Sequence, residues 1–197
     1  MKEMNKKVGL FFGSFNPIHV GHLIIGNHMA EFSDLEEVWF IVTPHNPHKK
    51  KKTLLDDVHR LAMVRIAIED FPNLKASNIE FELPQPNFTV NTLVILEEKY
   101  PTIDFCLIMG EDNLKSFHKW KNFELILDRH SIYIYPRITN KNDETTFSND
   151  SKITEVAAPV VEISSSFIRK GIKANKNMRP LLPYKVWEYL DEMNFYK

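Results

Sequence analysis

The chain has 197 residues, of which 43% are hydrophobic and 26% are charged, and its formal net charge at pH 7 is −1. These values predict a single soluble domain with a sizeable core, because domains commonly contain about 100–200 residues. A charge close to zero, no apolar run near membrane-spanning length and no secretory signal pattern lead us to expect a cytoplasmic protein that binds neither nucleic acid nor membranes.

Segments that favour strands alternate with segments that favour helices along the chain. Strands are predicted over residues 8–12, 37–42, 79–83, 105–109, 132–135 and 160–163. Helices are predicted over residues 23–30, 58–68 and 89–99, with short helices near residue 167 and over residues 185–193. The segment 79–83 alternates apolar and polar residues and predicts an exposed or edge strand, whereas 105–109 is apolar throughout, as in a sheet covered on both faces. The polar stretch 139–152 predicts a surface excursion.

This alternation predicts an α/β fold with a doubly wound parallel sheet, right-handed crossovers and helices on both faces of the sheet. Such sheets bind ligands at the carboxyl ends of their strands, beside the point where the strand order switches. The sequence contains no internal repeat and no linker. We therefore expect one domain over residues 1–197, with a small helical portion at about 164–197.

Inward-facing residues can be predicted for two of the helices, the first of which has a broad apolar face. The first follows Asp56 and Asp57, either of which can cap it, and its inward residues are predicted to be Val58, Leu61, Ala62, Val64, Arg65, Ile66 and Ile68. The second begins at Thr89, which can cap it, and its predicted inward residues are Val90, Leu93, Val94 and Leu96. Among the strands, Cys106 lies in an apolar run and is expected to be a buried, unreactive side chain. Trp39 and Trp187 fit apolar patterns and are expected to be structural.

The first strand leads directly into Gly-Ser-Phe-Asn-Pro-Ile-His-Val-Gly-His, residues 13–22. A strand that turns through glycine into a helix presents free backbone N–H groups and the positive end of the helix dipole, which together favour a phosphate. His19 and His22 are three residues apart, so they share one face of the first helical turn. Two imidazoles beside an anion site suit a polyphosphate whose negative charge grows or moves during a reaction.

A second segment, near residue 165, also favours an anion. The hydroxyls of Ser164, Ser165 and Ser166 can cap a helix whose N-terminus would hold phosphate. Arg169 supplies a permanently charged, planar guanidinium suited to bidentate phosphate contact. The alternative is an ordinary capped surface helix, and the presence of the first motif makes that interpretation the weaker one.

Residues 13–22 resemble the signature of the nucleotidylyltransferase superfamily, G-[ST]-F-x-P-x-H-x-G-H, and residues 163–169 resemble its second signature, I-S-[ST]-x-T/S-x-[IV]-R. Phe12 stands where the family often has glycine, and Ser166 where it more often has threonine. The resemblance implies a Rossmann-like fold, an ATP site and Mg²⁺ carried by the ATP phosphates, with no protein ligand to the metal. It also implies catalytic roles for His19, His22 and Arg169. The implied ATP contacts come from Gly13, Ser14, Phe15, Gly21, Ser164, Ser166 and Ile168.

Four further segments are similar to bacterial nicotinate mononucleotide adenylyltransferases. They are the loop 43–49, the segment 86–93, the Gly-Glu-Asp of residues 110–112 followed by Trp120, and the Tyr-Pro-Arg of residues 135–137, in which the order is shifted. The resemblance implies transfer of AMP from ATP to nicotinate mononucleotide, giving deamido-NAD and pyrophosphate. It implies that the mononucleotide is held by Lys49, Thr89, Gly110, Asp112 and Trp120.

Related functions stay open at this stage. An adenylyltransferase with phosphopantetheine or nicotinamide mononucleotide as its acceptor would use the same two signatures. A nucleotide-binding protein without catalysis would keep the fold and the glycines. An aminoacyl-tRNA synthetase is disfavoured, because the sequence has neither a K-M-S-K-S-like loop nor a tRNA-binding domain. A homo-oligomer is compatible with the sequence.

Overall fold

The computed structural model describes residues 5–44, 54–137, 147 and 150–197. The strands within these ranges are β1 (Lys6–Gly13), β2 (Glu37–Val42), β3 (Leu74–Ser77), β4 (Ile103–Gly110), β5 (Ile132–Tyr135) and β6 (Ile153–Glu155). The α-helices are α1 (Val20–Phe32), α2 (Asp57–Ile68), α3 (Thr89–Lys99), α4 (Glu111–Leu114), α5 (Phe123–Arg129), α6 (Ser165–Lys173) and α7 (Tyr184–Glu192). No helix in the described part of the chain is both long enough and apolar enough to cross a membrane.

Neighbouring strands of the sheet are parallel, and their spatial order is β3-β2-β1-β4-β5-β6. The order reverses between β1 and β4, where Gly9 is paired with Cys106. This is the strand order of the doubly wound Rossmann fold, in which ligands bind outside the carboxyl ends of the strands at the reversal. The predicted fold class is confirmed. Gly13 and Gly110, the last residues of β1 and β4, mark the ligand edge.

Two buried apolar cores lie on opposite faces of the sheet, because successive side chains of a strand point to opposite faces. Along β1, Phe11 belongs to the first core, whereas Val8 and Leu10 belong to the second. Residues of α1, α2, α6 and α7 close the first core, and residues of α3, α4 and α5 close the second. Helices therefore cover both faces, as predicted, and the strand ends have a different set of helices on each side.

The prediction of an edge strand over residues 79–83 is wrong. Ile79–Glu82 is a 3₁₀ helix, and the edge strand is β3, which ends just before it and pairs with β2. Alternating apolar and acidic residues suggested a strand whose acidic side chains face solvent, but the side chain of Glu80 points inward. It is 3% exposed and accepts a hydrogen bond from Thr92 Oγ1 at 2.7 Å.

The prediction of a last strand over residues 160–163 is also wrong. These residues form no regular structure, and β6 occupies the edge next to β5 instead. Val160 is exposed, and the carbonyl of Val161 accepts a hydrogen bond from the Arg137 guanidinium at 3.1 Å. Val161 and Ile163 pack against the first core rather than extend the sheet. Most of the predicted surface excursion, 139–152, lies outside the described residues.

The predicted inward faces of α2 and α3 need three corrections. Val58 and Val94 are 64% and 38% exposed, and Arg65 is exposed as well. The buried polar residue of α2 is instead Arg60, which is fully buried. The remaining predicted apolar residues of the two helices are buried or half-buried.

One of the two predicted helix caps is confirmed in position. Asp56 is the N-cap residue of α2, although its side chain makes no capping hydrogen bond. For α3 the cap is Phe88, and Thr89 is the first helical residue. The carbonyl of Phe88 accepts the backbone N–H groups of Asn91 and Thr92, so α3 starts one residue earlier than a Thr89 cap would allow.

Cys106 and Trp39 are core residues, as the sequence predicts. Cys106 is fully buried, and burial raises the pKa of its thiol to about 12. A thiol that stays protonated is a poor nucleophile, so the structure agrees with an unreactive cysteine. Trp39 is buried in the second core, and Trp187 is half-buried against the first.

Candidate active site

The loop that follows β1 is folded tightly against the end of that strand. Phe15 has a left-handed backbone (φ 44°), and its side chain is 1% exposed in the first core. A Cβ atom on Gly13 would lie 2.8 Å from the Phe15 ring, so only glycine leaves room for that ring. Because the Phe15 side chain is buried, its predicted ATP contact is limited to its backbone. Ser14, the residue between them, is exposed.

His19 and His22 stand at the start of α1 with their rings stacked. The ring centroids are 3.7 Å apart, and the planes are inclined by 23°. The backbone N–H of His19 donates to Nδ1 of His22 at 3.2 Å. A Cβ atom on Gly21 would lie 3.1 Å from His19 Nδ1 and 2.9 Å from Val161 Cγ1, so glycine leaves space beside the ring. The predicted shared face of the two histidines is confirmed.

Both imidazoles are neutral at neutral pH. Burial, and secondly the positive charge of Arg137, lower the pKa of His19 to about 4. Burial, His19 and Arg137 lower the pKa of His22 well below its ordinary value. Since Nδ1 of His22 accepts a backbone N–H, its single proton is on Nε2, which is a donor. Nδ1 of His19 is buried and has no hydrogen-bond partner within the described ranges.

The N-terminus of α6 is attached to the loop after β1. Ser164 is the N-cap residue, and its Oγ accepts a backbone N–H of the first helical turn at 3.2 Å. Ser165 Oγ donates to the carbonyl of Pro17 at 2.8 Å, although the two residues are 148 positions apart. Arg169 Nη1 donates to the carbonyl of Asn16 at 2.7 Å. The two sequence motifs therefore meet in one site.

The predicted ATP residues of α6 differ in accessibility. Arg169 is partly exposed, and its Nη2 lies 3.2 Å from Ser166 Oγ, which is itself exposed. Ile168 is 0% exposed in the first core, so a contact between its side chain and ATP is excluded in this conformation. What remains for Ile168 is a contact through its backbone.

Charged side chains also meet where β4 ends: those of Glu111, Asp112 and Arg137. A Cβ atom on Gly110 would lie 2.5 Å from Asp112 Oδ1 and 3.2 Å from Arg137 Cγ. Arg137 Nε is 4.0 Å from Asp112 Oδ1, and the Arg137 backbone N–H donates to Glu111 Oε2 at 3.1 Å. Because Arg137 also lowers the pKa of both histidines, it links the end of β4 to the histidine pair. In the sequence, this arginine is marked only by a motif whose order is shifted.

The predicted acceptor residues Thr89 and Trp120 lie on the other side of the sheet. Trp120 packs against the second core, as does Phe88, the residue directly before Thr89. The Trp120 side chain is half-buried, and its ring meets Phe117 edge-on at 5.5 Å. His22, by contrast, contacts the rings of Phe11 and Phe15 in the first core. Lys49, the remaining predicted acceptor residue, lies outside the described residues.

Arg60 is a buried residue of this site that sequence reasoning missed. Its Nη1 donates to the carbonyls of Ser14 (2.5 Å) and Thr43 (2.8 Å). Its Nε donates to the carbonyl of Leu55 at 3.0 Å, and its Nη2 pairs with Asp57. Arg60 thus joins the loop after β1 to the end of β2 and the start of α2. The available sequence signal was that Arg60 occupies a helical position at which an apolar residue would be expected.

Tyr196 is a second residue that the sequence did not reveal. Its hydroxyl donates to Oδ1 of Asn16, from a position 180 residues further along the chain. No local sequence pattern predicts a contact between residues so far apart, so the contact is found only in the three-dimensional structure.

Comparison with known proteins identifies the family. Residues 10–171 match the family model described as cytidylyltransferase-like. A Christiangramia forsetii protein named "probable nicotinate-nucleotide adenylyltransferase" is 69% identical over 194 residues, which cover 98% of this chain and 100% of that protein. The chain belongs to the nicotinate-nucleotide adenylyltransferase family. A Flavobacterium psychrophilum protein of the same name is 63% identical, with 97% of this chain and 99% of its own length covered.

A solved structure has the same fold. The nicotinic acid mononucleotide adenylyltransferase of Plasmodium falciparum, in complex with NaAD, superposes with a TM-score of 0.81 and covers 97% of each chain. Its sequence identity to this chain is 20%, so the match concerns the fold alone. Both the family and the nucleotidyltransferase class that the motifs predicted are confirmed.

Proposed function

We propose that this chain transfers AMP from ATP to nicotinate mononucleotide, forming deamido-NAD and releasing pyrophosphate. The observation that carries the proposal is the junction of the two motifs at one loop. His19 and His22 stack at one end of that loop, and Arg169 donates to its backbone, beside the reversal of strand order. Membership of the family supports the same reaction.

Catalysis in this proposal consists of positioning and charge stabilisation. The phosphate of the mononucleotide is already anionic and attacks the α-phosphorus of ATP in line, so no side chain has to act as the nucleophile. The P–O bond to the leaving pyrophosphate breaks as the bond to the mononucleotide phosphate forms. The protein therefore has to orient the two substrates and stabilise the charge that moves to pyrophosphate.

We assign ATP to the wall formed by the loop after β1 and by α6. The backbone of Gly13, Ser14 and Phe15, the turn at Gly21, and the α6 N-terminus with Ser164, Ser166 and Ile168 would hold it. N–H groups at a helix start and a glycine turn suit its phosphates. Ser165, which is bound to Pro17, keeps the two parts of this wall together.

The histidine pair and two arginines are assigned to the reacting phosphates. His22 offers Nε2–H as a donor, and the approach of a polyphosphate raises the pKa of both imidazoles. These donors strengthen as negative charge develops on pyrophosphate, which is the condition for lowering the barrier. Arg169 supplies a permanent positive charge. We add Arg137 as a second one, because its charge already acts on both histidines.

We assign nicotinate mononucleotide to the wall formed by α3 and the end of β4. The first turn of α3 at Thr89 offers backbone N–H groups to an anion, and Lys49 offers a positive charge. Asp112, which is exposed beside Gly110, suits ribose hydroxyls. The half-buried indole of Trp120 suits a pyridine ring. Two walls on opposite sides of the strand ends would bring the acceptor phosphate to the α-phosphorus.

Mg²⁺ belongs to the proposal as a companion of ATP. When bound to the phosphates it offsets the charge of the leaving pyrophosphate, and it is held mainly by phosphate oxygens and water. The described residues contain no group of three or more His, Cys, Asp or Glu side chains that could hold a metal ion. At the end of β4, Glu111 accepts the backbone N–H of Arg137, and Asp112 is assigned to the ribose hydroxyls. We assign no side chain to the ion.

The proposal also covers the organisation of the protein. We infer one domain over residues 1–197, with residues 164–197 as a helical portion, working in the cytoplasm. The burial of Ile172 of α6 and of Val186 and Leu190 of α7 in the first core supports a single unit. Its partners are ATP and nicotinate mononucleotide, and a homo-oligomer is compatible with this proposal.

An acceptor panel tests the reaction. The protein is incubated with ATP, Mg²⁺ and one of three acceptors: nicotinate mononucleotide, nicotinamide mononucleotide or phosphopantetheine. Pyrophosphate release is measured, and a reaction without acceptor gives the background rate of ATP hydrolysis to AMP and pyrophosphate. We expect nicotinate mononucleotide to have the highest kcat/KM. A preference for phosphopantetheine, or no turnover with either pyridine mononucleotide, would contradict the proposal.

A further inference from the structure

Tyr196 follows α7 and reaches back to the loop after β1. Its hydroxyl donates to Oδ1 of Asn16, which also accepts the backbone N–H of Leu55 at 3.2 Å. Asn16 is 3% exposed, and its backbone carbonyl accepts the hydrogen bond from Arg169 at 2.7 Å. Asn16 is therefore held through its side chain by Tyr196 and through its backbone by Arg169.

The segment around Tyr196 is fixed by its own packing. Tyr196 has a φ of 65°, a conformation that is uncommon for a residue with a large side chain. The preceding Phe195 packs its ring against His59, with centroids 4.9 Å apart, and its N–H donates to the carbonyl of Leu190 at 3.0 Å. Burial raises the pKa of Tyr196, so its hydroxyl keeps the proton that it donates. Such a backbone conformation persists only where the surrounding structure maintains it.

The hydroxyl of Tyr196 acts on the part of the loop that the nucleotide would use. Residues 14–17 lie between the glycine turn and the histidine pair, and Arg169 contacts them at Asn16. Arg60 holds this loop at Ser14 and Ser165 holds it at Pro17, whereas Tyr196 holds the side chain of Asn16 between them. Loss of the Tyr196 hydrogen bond is expected to shift Asn16, and a binding geometry depends on shifts of about 0.5 Å. Tyr196 can thus influence ATP without touching it.

We propose that Tyr196 is a positioning residue for ATP: its hydrogen bond to Asn16 holds the loop 14–17 in the form that presents Arg169 and the histidine pair to the phosphates. The inference rests on the proposed function only in taking ATP as the nucleotide. The acceptor wall, on the other side of the sheet, is not part of this contact.

The variant Tyr196→Phe tests the proposal, with Tyr189→Phe as a matched control. Tyr189 donates or accepts a hydrogen bond with His59 Nδ1 at 2.8 Å, and its ring lies 6.1 Å from Phe195, so the control loses a similar hydroxyl contact in the same cluster. Both full-length variants are titrated with a non-hydrolysable ATP analogue, and their melting temperatures and kinetic constants are measured. We expect Tyr196→Phe to raise Kd and KM for ATP by about 3- to 10-fold, the effect of one lost hydrogen bond.

The other measurements separate a positioning role from a purely structural one. In Tyr196→Phe the KM for the acceptor should stay within about twofold of wild type, and the melting temperature should match that of Tyr189→Phe. Tyr189→Phe should leave ATP binding unchanged. The proposal is overturned if the two variants bind the ATP analogue equally well, or if Tyr196→Phe weakens ATP and acceptor alike together with a lower melting temperature.

A double-mutant cycle locates the effect at Asn16. If Tyr196 acts through Asn16, ATP binding by Asn16→Ala combined with Tyr196→Phe should be no weaker than by Asn16→Ala alone. Additive losses would overturn the proposal, and if Asn16→Ala does not fold, the comparison with Tyr189→Phe decides. A wild-type protein that binds the ATP analogue but converts no pyridine mononucleotide contradicts the proposed function and leaves this test intact.

Discussion

The backbone N–H of His19 donates to Nδ1 of His22 across 3.2 Å, and this contact fixes His22 as a neutral imidazole that donates through Nε2. Protonation of Nδ1 would set two N–H groups against each other. The stacked ring of His19, 3.7 Å away, makes a positive charge on either ring unfavourable for the other. The pair is therefore arranged to gain positive charge only when a polyphosphate brings the opposite charge.

Replacement of His22 should affect turnover far more than stability. His22→Ala removes a donor that acts on developing charge, and the loss of one such donor commonly lowers kcat by about 10²–10³-fold. Its ring also packs edge-on against Phe11 and Phe15, so the melting temperature is measured beside kcat to separate lost packing from the lost donor. His28→Ala is the matched control, because His28 is on the same helix and stacks on Phe32. Near-normal turnover in His22→Ala, or loss of folding, would favour a structural role.

The low pKa of His19 predicts that stability falls as the pH falls. The unfolded chain binds a proton near pH 6.5, whereas folded His19 binds one only near pH 4, so acid favours the unfolded state between these values. The contribution to the free energy of unfolding should drop by about 2 kcal/mol between pH 7 and pH 5. Urea unfolding at both pH values measures this.

His19→Gln provides the comparison for that measurement, since a neutral amide does not titrate. Its free energy of unfolding should fall less than that of wild type between pH 7 and pH 5. Saturating ATP should also reduce the acid sensitivity of wild type, because the phosphates raise the imidazole pKa. Equal slopes for wild type and His19→Gln would show that His19 is not the group responsible.

Arg60 should be important for stability because it is fully buried. Arg60→Met would leave the carbonyls of Ser14, Thr43 and Leu55 without their donor, and loss of one partner from such a buried charged group costs about 3–5 kcal/mol. Urea unfolding measures the loss. Arg65→Met, an exposed position of the same helix, should change the free energy of unfolding by less than about 1 kcal/mol.

Glu80 should reduce stability at neutral pH. Burial raises its pKa above the ordinary 4.5, although the hydrogen bond from Thr92 acts in the opposite direction. A raised folded pKa means that the stabilising contribution is complete below about pH 4.5 and is lost as the pH rises through the folded value. Glu80→Gln should therefore be more stable than wild type at pH 8, with no advantage at pH 4.

The exposed Glu82 in the same 3₁₀ helix supplies the control for Glu80. Glu82→Gln should leave the free energy of unfolding unchanged at both pH values. If Glu80→Gln is less stable than wild type at pH 8, the carboxylate of Glu80 is stabilised by its surroundings and the interpretation of its burial is wrong.

The fold was predictable because β2 and β4 are apolar along most of their length and helices separate them, which leaves few arrangements other than a parallel sheet covered on both faces. The residues proposed to hold ATP could be selected from the sequence because a glycine turn, two histidines and an arginine each have a direct chemical reason to contact phosphate. These features are local in sequence, so a single pass along the chain finds them.

The remaining features depend on contacts between distant residues. Glu80 alternates with apolar neighbours like an edge-strand residue, and only its partner Thr92 in α3 explains why it points inward. Arg60 donates to one carbonyl in the loop after β1 and to two between β2 and α2. Tyr196 donates to an asparagine 180 residues away. Local sequence patterns do not predict such distant partners, so the roles of Glu80, Arg60 and Tyr196 were missed.

The proposed binding of nicotinate mononucleotide depends most on Trp120. A pyridine ring stacked on its half-buried indole should quench tryptophan fluorescence when nicotinate mononucleotide binds without ATP. By analogy with stacking of bases on aromatic side chains, the contact contributes about 1–3 kcal/mol, so Trp120→Ala should weaken acceptor binding by about 5–150-fold. The affinity for ATP should barely change, because its proposed site lies on the other wall.

The remaining tryptophans make the fluorescence measurement specific. Trp39 is buried in the second core and Trp187 lies on α7, so Trp39→Phe and Trp187→Phe should keep the quench. Trp120→Phe should lose the signal and retain part of the affinity, because a phenyl ring still stacks. If the quench persists in Trp120→Phe, the indole packs only against Phe117, and the acceptor has to be recognised by Thr89 and Asp112 without an aromatic partner at this position.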